Sequence, residues 1–279
     1  MTQVIACIDG SDSASAVCDY AAWAATQLSA PLLLLHVLDE ARYPSEANLS
    51  GSIGLGAVAT LQKELADLDA KRNQLALEQG QLMLEAAKEK VIADGVVHPV
   101  LRQRHGELLA SLKELEEDTR LLVIGKQGEA HPDPGAQVGD NVERVVRSMH
   151  RPVLITTGEF EQPTSVMLAF DGSATMAKAI DMISASALFK GLPCHLVTVG
   201  NDSDALQGAA KQLRNAGHDV TVAFLSGDVE NALHQYQQQK DISLVVMGAY
   251  GHSRIREFFV GSTTNALLRG ATVPHLILR

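Results

Sequence analysis

The amino-acid sequence contains one pattern twice, and this internal repeat constrains the fold more than any other feature. Gln3–Ser11 (QVIACIDGS) matches Ser165–Ser173 (SVMLAFDGS) at an offset of 162 residues. Toward the end of each copy, Gly125–Gly128 matches Gly248–Gly251 at an offset of 123. A chain of 279 residues is long enough for two ordinary domains. The repeat therefore predicts two tandem copies of one domain.

The two predicted domains cover residues 1–158 and 159–279. The offset falls to about 122, so the first domain holds some 40 extra residues, all within about 40–95. Thr60–Ala93 in this insertion is rich in Leu, Ala, Glu and Lys and predicts a long helix. This helix either packs over the sheet or forms a partner surface or a lid over the first domain's cleft. Its apolar side chains at spacings of three, four and seven are Leu61, Leu65, Leu68, Leu75 and Leu82.

Apolar strand-like segments alternate with helical segments in each copy. Segments such as Leu244–Met247 are apolar throughout, as expected of parallel strands covered by helices on both faces. The prediction is an α/β fold with two doubly wound parallel-sheet domains, Rossmann-like and of strand order 3-2-1-4-5. For the second domain we predict strands near 165–170, 193–199, 219–225, 243–247 and 273–278, and helices near 174–190, 203–216, 228–240 and 262–270.

Three residues are predicted to lie at one crevice of the second domain. Asp171, Val199 and Gly248 each fall where a predicted strand ends. In doubly wound sheets, ligands bind outside the carboxyl ends of the strands where the strand order reverses. A ligand site is therefore expected beside these three residues.

Composition excludes several classes of function. The net charge of −10 makes general attraction to nucleic acid or anionic lipid unfavourable. No apolar run reaches the ~18 residues that a membrane span needs. The three cysteines are scattered without a CxxC pair, and Cys7 and Cys194 fall in apolar strands, where a thiol serves as a small hydrophobe. We expect a cytoplasmic, reducing location.

The sharpest local signal is a glycine loop in the second domain with the spacing Gly248-x2-Gly251-x9-Gly261-Ser262. Glycines allow a ligand to approach the main chain closely, and Ser262 is a natural N-cap for the following helix. The free amides of that helix, with the hydroxyls of Ser262 and Thr263, would face an anion. The alternative is a plain strand-to-helix connection, but the full spacing favours an anion site.

This spaced signature resembles the nucleotide-binding loop of the universal stress protein family. The Asp-Gly-Ser after the first strand and the Val-Pro-His-Leu-Ile-Leu at the end resemble that family too. The resemblance covers both copies except about 40–95. It implies ATP or another adenine nucleotide, with or without Mg²⁺, in the second domain only, with Asp171 and Val199 at the nucleoside. The residues that would hold the phosphates are Gly248, Gly251, His252, Gly261, Ser262 and Thr263.

The first domain departs from the signature. Ten residues, not nine, separate Gly128 from Gly139, and Asp140 stands where Ser262 stands in the other copy. Glu129, Asp133 and Asp140 make this loop acidic. Two like charges a few ångströms apart repel by several kcal/mol at an effective dielectric near 20. We therefore expect a degenerate phosphate loop that does not accept ATP.

Binding is favoured over catalysis, although the sequence leaves the question of an enzyme open. No Walker A, HExxH or GxSxG motif is present, and no metal-ligand set is predicted. His252 fits a phosphate contact better than a general base. Ile8–Ser13 faintly resembles the loop of ATP-pyrophosphatases, but helix capping by Asp9, Ser11 or Asp12 explains it more simply. Two alternatives stay open, namely a nucleotide-independent interaction module or small-ligand carrier, and a slow ATPase or phosphotransferase.

Family members usually pair through their last strand, which would otherwise be an exposed edge. Here the segments Val273–Leu278 and Val153–Thr156 could pair with each other. We therefore expect an intramolecular pseudo-dimer of the two domains, with a homodimer also possible.

Overall fold

The computed structural model describes residues 2–39, 56–128, 138–248 and 267–279. Strands and helices alternate through both copies. The elements of the first copy are β1 (Gln3–Cys7), α1 (Ala14–Leu28), β2 (Leu32–Asp39), α2 (Gly56–Ala93), β3 (Val100–Gly106), α3 (Leu108–Glu114), β4 (Thr119–Gly125), α4 (Asp140–Ser148) and β5 (Val153–Thr156). Those of the second copy are β6 (Val166–Ala169), α5 (Ala174–Ala185), β7 (Cys194–Val199), α6 (Asp204–Asn215), β8 (Val220–Leu225), α7 (Val229–Gln239), β9 (Leu244–Gly248) and β10 (His275–Leu278).

The ten strands form one sheet in the order β3-β2-β1-β4-β5-β10-β9-β6-β7-β8. Read from its outer edge inwards, each half of this sheet has the order 3-2-1-4-5 when the strands of that copy are numbered 1 to 5. The predicted doubly wound fold is therefore confirmed. Neighbouring strands run parallel within each copy. Where the copies meet, β10 pairs antiparallel with β5, with Leu276 opposite Leu154. The two carboxyl edges therefore face opposite directions in one continuous sheet.

Inner strands such as β1, β4 and β9 are apolar on both faces because helices cover both faces of the sheet. Val4 and Ala6 pack with α1 on one face, whereas Ile5 of the same strand packs with α4 on the other. Cys18 and Cys194 are buried in the first of these clusters, and Cys7 is half-buried at the end of β1. Burial raises the pKa of all three thiols to about 12, so they behave as small hydrophobes.

The helix predicted for 174–190 is shorter than expected, and this prediction was wrong. α5 ends at Ala185 because Ser186 adopts an extended backbone (φ −88, ψ 128). The Ser186 hydroxyl then accepts from Leu188 N and starts a short 3₁₀ turn, which buries Leu188 and Phe189. Residues 267–269 are helical, but the start of the helix predicted for 262–270 lies outside the described residues.

The long helix of the insertion exists, and it packs over the sheet through a face other than the leucine repeat. Leu65, Leu68, Leu75 and Leu82 are between 57 and 72% exposed. The stripe that packs against the first copy instead consists of Ala76, Leu84, Ala87 and Val91. A leucine repeat identifies an apolar face but does not say what covers that face, and here the sheet is covered by the stripe of smaller side chains.

A glycine sets how closely α2 approaches the sheet. A Cβ atom at Gly80 would lie 2.6 Å from Cδ2 of His36 and 2.6 Å from Nε2 of Gln103. The His36 ring is fixed because its Nδ1 bonds Ile8 O at 2.8 Å, and Gln103 donates to Leu77 O at 3.1 Å. The insertion is therefore the β2-to-β3 crossover helix, extended at its amino end. In the parts of the chain that the structure describes, no helix is long and apolar enough to cross a bilayer.

Candidate functional site

The carboxyl edge of the second copy brings together three of the predicted site residues. Ala169 of β6 pairs with Val197 of β7 and with Met247 of β9. Asp171 and Val199 each lie two residues beyond that row, and Gly248 lies one residue beyond it. They flank the point between β6 and β9 where the strand order reverses, which is where ligands bind in such sheets. The predicted placement of these three residues at strand ends is confirmed.

A tight turn holds Asp171 at this edge. Ser173 N donates to Asp171 Oδ1 at 2.9 Å, and Gly172 between them has a φ of +73, a conformation that favours glycine. The Ser173 hydroxyl accepts from Met176 N at 3.1 Å and caps α5. Asp171 itself is exposed to solvent at the strand end.

Val199 and Gly248 form the neighbouring surface of the same edge. Val199 is half-buried at the end of β7, where an apolar side chain can contact a ring. A Cβ atom at Gly248 would meet Thr175 Cγ2 at 3.5 Å, an ordinary contact distance. The other predicted phosphate contacts, which are Gly251, His252, Gly261, Ser262 and Thr263, lie outside the described residues.

At the matching edge of the first copy, polar side chains contact one another and the glycine loop. The Asp9 carboxylate accepts from both the amide and the hydroxyl of Ser11. The Ser13 hydroxyl donates to Gln127 O at 3.0 Å, which ties the start of α1 to the glycine loop. A Cβ atom at Gly128 would lie 3.0 Å from Asp9 Oδ2, so this carboxylate lies against the loop. In the first copy, an acidic oxygen therefore lies beside the glycine loop at Gly128.

The expected capping of α1 by Asp9, Ser11 or Asp12 was wrong. The helix begins at Ala14 with Ser13 at the N-cap position, and Ser13 makes no side-chain cap bond. Asp9 instead bonds Ser11, two residues on, because short polar side chains can close a local turn as readily as they cap a helix. Ser13 uses its hydroxyl for the glycine loop 114 residues away, which local sequence does not reveal.

Asp140 occupies the helix start expected of it. Gly139 is the N-cap of α4, and Asp140 is the exposed first residue of that helix. Gly139 N donates to Lys126 O at 3.0 Å, so the glycine loop and the start of α4 are in contact. The free amides of α4 therefore have a carboxylate beside them, which suits the positive end of the helix dipole. Glu129, His131 and Asp133 lie outside the described residues.

Lys126 links the first copy's glycine loop to the second copy. Its Nζ donates to Arg269 O at 2.7 Å and lies 3.4 Å from Ala271 O, both at the carboxyl end of the last helix. Burial lowers the pKa of Lys126 below its ordinary value. Sequence reasoning placed Lys126 in the loop but missed this contact, because it depends on the antiparallel meeting of β5 and β10. Within the described ranges, no group of three or more His, Cys, Asp or Glu residues could hold a metal ion.

Comparison with known proteins agrees with the two-copy architecture. The family model described as "Universal stress protein family" matches residues 1–157 and 200–279. A curated universal stress protein from Synechocystis sp., Slr1230, is 37% identical over 287 residues, which covers 100% of each chain.

Among solved structures, a universal stress protein from Archaeoglobus fulgidus superposes with a TM-score of 0.69 at 17% identity, covering 99% of this chain and 96% of its own. Another universal stress protein, solved in complex with cAMP, matches 43% of this chain and 98% of its own at 22% identity, with a TM-score of 0.37. The family match and the full-length relative together show that this chain belongs to the universal stress protein family.

Proposed function

We propose that this chain is a cytoplasmic stress-response or regulatory protein that binds ATP or another adenine nucleotide in its second copy and not in its first. The observation that carries the proposal is a charge difference at the helix start of the two carboxyl edges, where Asp140 of the first copy corresponds to Ser262 of the second. At the first, the Asp9 carboxylate lies against Gly128 and Ser13 bonds the glycine loop. At the second, the Asp171 carboxylate is exposed beside Val199 and Gly248.

Electrostatics oppose a nucleotide phosphate at the first edge. A phosphate bound at the start of α4 would lie beside the Asp140 carboxylate, whose place is taken by the uncharged Ser262 in the second copy. At about 4 Å and an effective dielectric near 20, one such pair of like charges repels by about 4 kcal/mol. That penalty corresponds to a loss of affinity of about a thousandfold.

In the second copy, the exposed edge suits a nucleoside. Asp171 would accept from ribose hydroxyls, and Val199 would contact the base from the next strand. The phosphates would bind Gly248, Gly251, His252, Gly261, Ser262 and Thr263, where Ser262 replaces the acidic Asp140 of the first copy. Mg²⁺ would enter with the phosphates as their counterion. In this assignment the chain binds the nucleotide and contributes no catalytic residue.

The architecture supports a chain that supplies both halves of a dimer by itself. β5 and β10 pair within one chain, so the edges that would otherwise recruit a second chain are covered. We place the boundary between the copies at residues 158 and 159, where Gly158 has a φ of +58 in the connection before β6. The three free cysteines and the net charge of −10 suit a reducing location and a partner that is neither nucleic acid nor membrane.

A matched pair of variants tests which copy binds. Asp171→Asn should raise the ATP dissociation constant at least tenfold by calorimetry, whereas Asp9→Asn should leave it within about twofold. Mass spectrometry of ligand released from freshly purified protein would identify the nucleotide. Equal effects of the two variants, or no binding of any adenine nucleotide at millimolar concentration, would overturn the proposal.

The slow ATPase alternative has its own readout. Phosphate release that needs Mg²⁺ and disappears in both Ser262→Ala and His252→Ala would assign turnover to the second copy. ATP that binds and is recovered intact after many hours would assign binding alone.

A further inference from the structure

The extended part of α2 carries an exposed leucine seam that the nucleotide site does not use. Leu65, Leu68, Leu75 and Leu82 are 60%, 63%, 57% and 72% exposed. Monomeric soluble proteins expose single leucines routinely, but they seldom expose a row of them along one helix face. This leucine seam therefore needs a partner.

The spacing of the leucine seam is that of a coiled coil. From Leu65 to Leu82, the steps between seam positions alternate three and four residues, with Arg72 and Gln79 at the two intermediate positions. Such a heptad pattern brings one stripe of a helix repeatedly against a second helix. Over these 18 residues the seam is about 27 Å long.

The leucine seam is separate from the stripe that packs against the chain's own sheet. Ala76, Leu84, Ala87 and Val91 form the buried stripe. At 3.6 residues per turn, the centres of the two stripes lie roughly a third of a turn apart on the helix. A second helix can therefore lie along the seam while α2 keeps its packing on β2 and β3.

We propose that the leucine seam binds the same seam of a second copy of this chain as an antiparallel two-stranded coiled coil. A two-fold axis between Asn73 and Gln74 places Leu65 of one chain against Leu82 of the other, and Arg72 against Leu75. The same register sets Lys71 beside Glu78 of the second chain, twice by symmetry. The central flanking charges of the seam are thus complementary to a second copy of themselves, whereas Glu64 and Glu85 of the two chains meet at its ends.

The parallel arrangement is disfavoured by the same charges. A parallel, in-register pair would put Arg72 directly against Arg72 in the core. It would also set Glu64 beside Asp69 of the other chain, and like charges at these flanking positions repel. Shifting the antiparallel register by one heptad in one direction would bring Lys71 against Lys71, and in the other direction would bring Glu78 against Glu78. Charge therefore favours the first register over these alternatives.

The coiled coil should be weak and concentration-dependent. It has fewer than three heptads, and its two polar core positions each lower stability. This association is independent of the proposed nucleotide site and of the β5–β10 pairing, so its failure would leave both unaffected.

Sedimentation equilibrium of the full chain across micromolar to millimolar concentrations tests the seam. The unaltered chain should pass from monomer to dimer, and the double variant Leu68→Lys/Leu75→Lys should stay monomeric. Leu77→Lys is the matched control, because Leu77 is 48% exposed on α2 but lies off the seam, and this variant should dimerise like the parent. A parent that stays monomeric throughout, or a dimer that survives the double variant, would overturn the proposal.

A charge swap tests the orientation. Lys71→Glu places a second carboxylate beside Glu78 of the other chain and should raise the dimer dissociation constant about tenfold or more. Adding Glu78→Lys restores opposite charges and should return the constant to within about threefold of the parent. In a parallel dimer Lys71 would face Ala76, so a single variant without effect, or a double variant without recovery, would contradict the antiparallel register.

Discussion

Replacing Gly80 by alanine should destabilise the protein, although helix propensity alone predicts the opposite. Alanine is favoured over glycine by about 1 kcal/mol in a helix interior. At Gly80, however, the new methyl group would lie 2.6 Å from Cδ2 of His36, a buried ring that is fixed by its bond to Ile8 O. Overpacking of this kind costs about 1 to 3 kcal/mol. The net effect should be a loss of about 1 kcal/mol.

Gly208→Ala provides the matched control. Gly208 lies in the interior of α6, is exposed, and has no atom within 4 Å of the position that a Cβ would take. This variant should therefore gain about 1 kcal/mol. The two alanine variants should differ by about 2 kcal/mol, or by roughly 4 to 8 °C in Tm for a protein of this size.

Urea unfolding monitored by circular dichroism measures the difference between the variants. A His36→Ala change should remove the ring's part of the clash and leave that of Gln103, so Gly80→Ala should cost less in the His36→Ala background than in the parent. If Gly80→Ala raises the unfolding midpoint as much as Gly208→Ala does, the close packing of α2 on His36 is refuted.

Three further changes follow from the described contacts. Lys126→Met should lower the free energy of unfolding by about 1 kcal/mol, because it removes the hydrogen bond to Arg269 O. The control Lys211→Met, at an exposed position of α6, should leave the free energy of unfolding almost unchanged, and chemical denaturation compares the two variants. Burial lowers the pKa of His275 from 6.5 to about 4, so the unfolded chain binds a proton at this residue more tightly than the folded chain does. About 3 kcal/mol of unfolding free energy that is present above pH 6.5 should therefore be lost as the pH falls to 4. The loss should be smaller in His275→Leu, and an identical pH profile would contradict it. Cys18 and Cys194 should resist a thiol reagent at pH 8 in the folded protein and react in denaturant, since burial raises the pKa of each thiol to about 12.

The sheet could be predicted from sequence because its signals are local and repeated. Segments such as Leu244–Met247 are apolar throughout, which suits parallel strands, and the repeat shows that both copies share one order. That order places Asp171, Val199 and Gly248 at strand ends along one edge. The structure further shows that β5 and β10 pair antiparallel, with Leu276 opposite Leu154.

The hydrogen bond from Ser13 to the first copy's glycine loop could not be predicted, because it joins residues that are far apart in the chain. Ser13 and Thr175 occupy equivalent positions and both carry a hydroxyl, so sequence does not distinguish them. In the structure, Ser13 bonds Gln127 O, whereas the methyl group of Thr175 faces Gly248. For α2, the leucine repeat was visible in the sequence, but which stripe the sheet would cover depends on the space above His36.

The central claim is that one copy of the chain offers an anion site and the other does not. Calorimetric titration of ATP into Ser262→Asp, with Asp140→Ser as the reciprocal variant, tests it by placing the first copy's carboxylate in the second copy. The account predicts one nucleotide per parent chain, a loss of affinity of about a hundredfold or more in Ser262→Asp, and unchanged affinity of the existing site in Asp140→Ser. Two nucleotides per parent chain, or full affinity in Ser262→Asp, would contradict it.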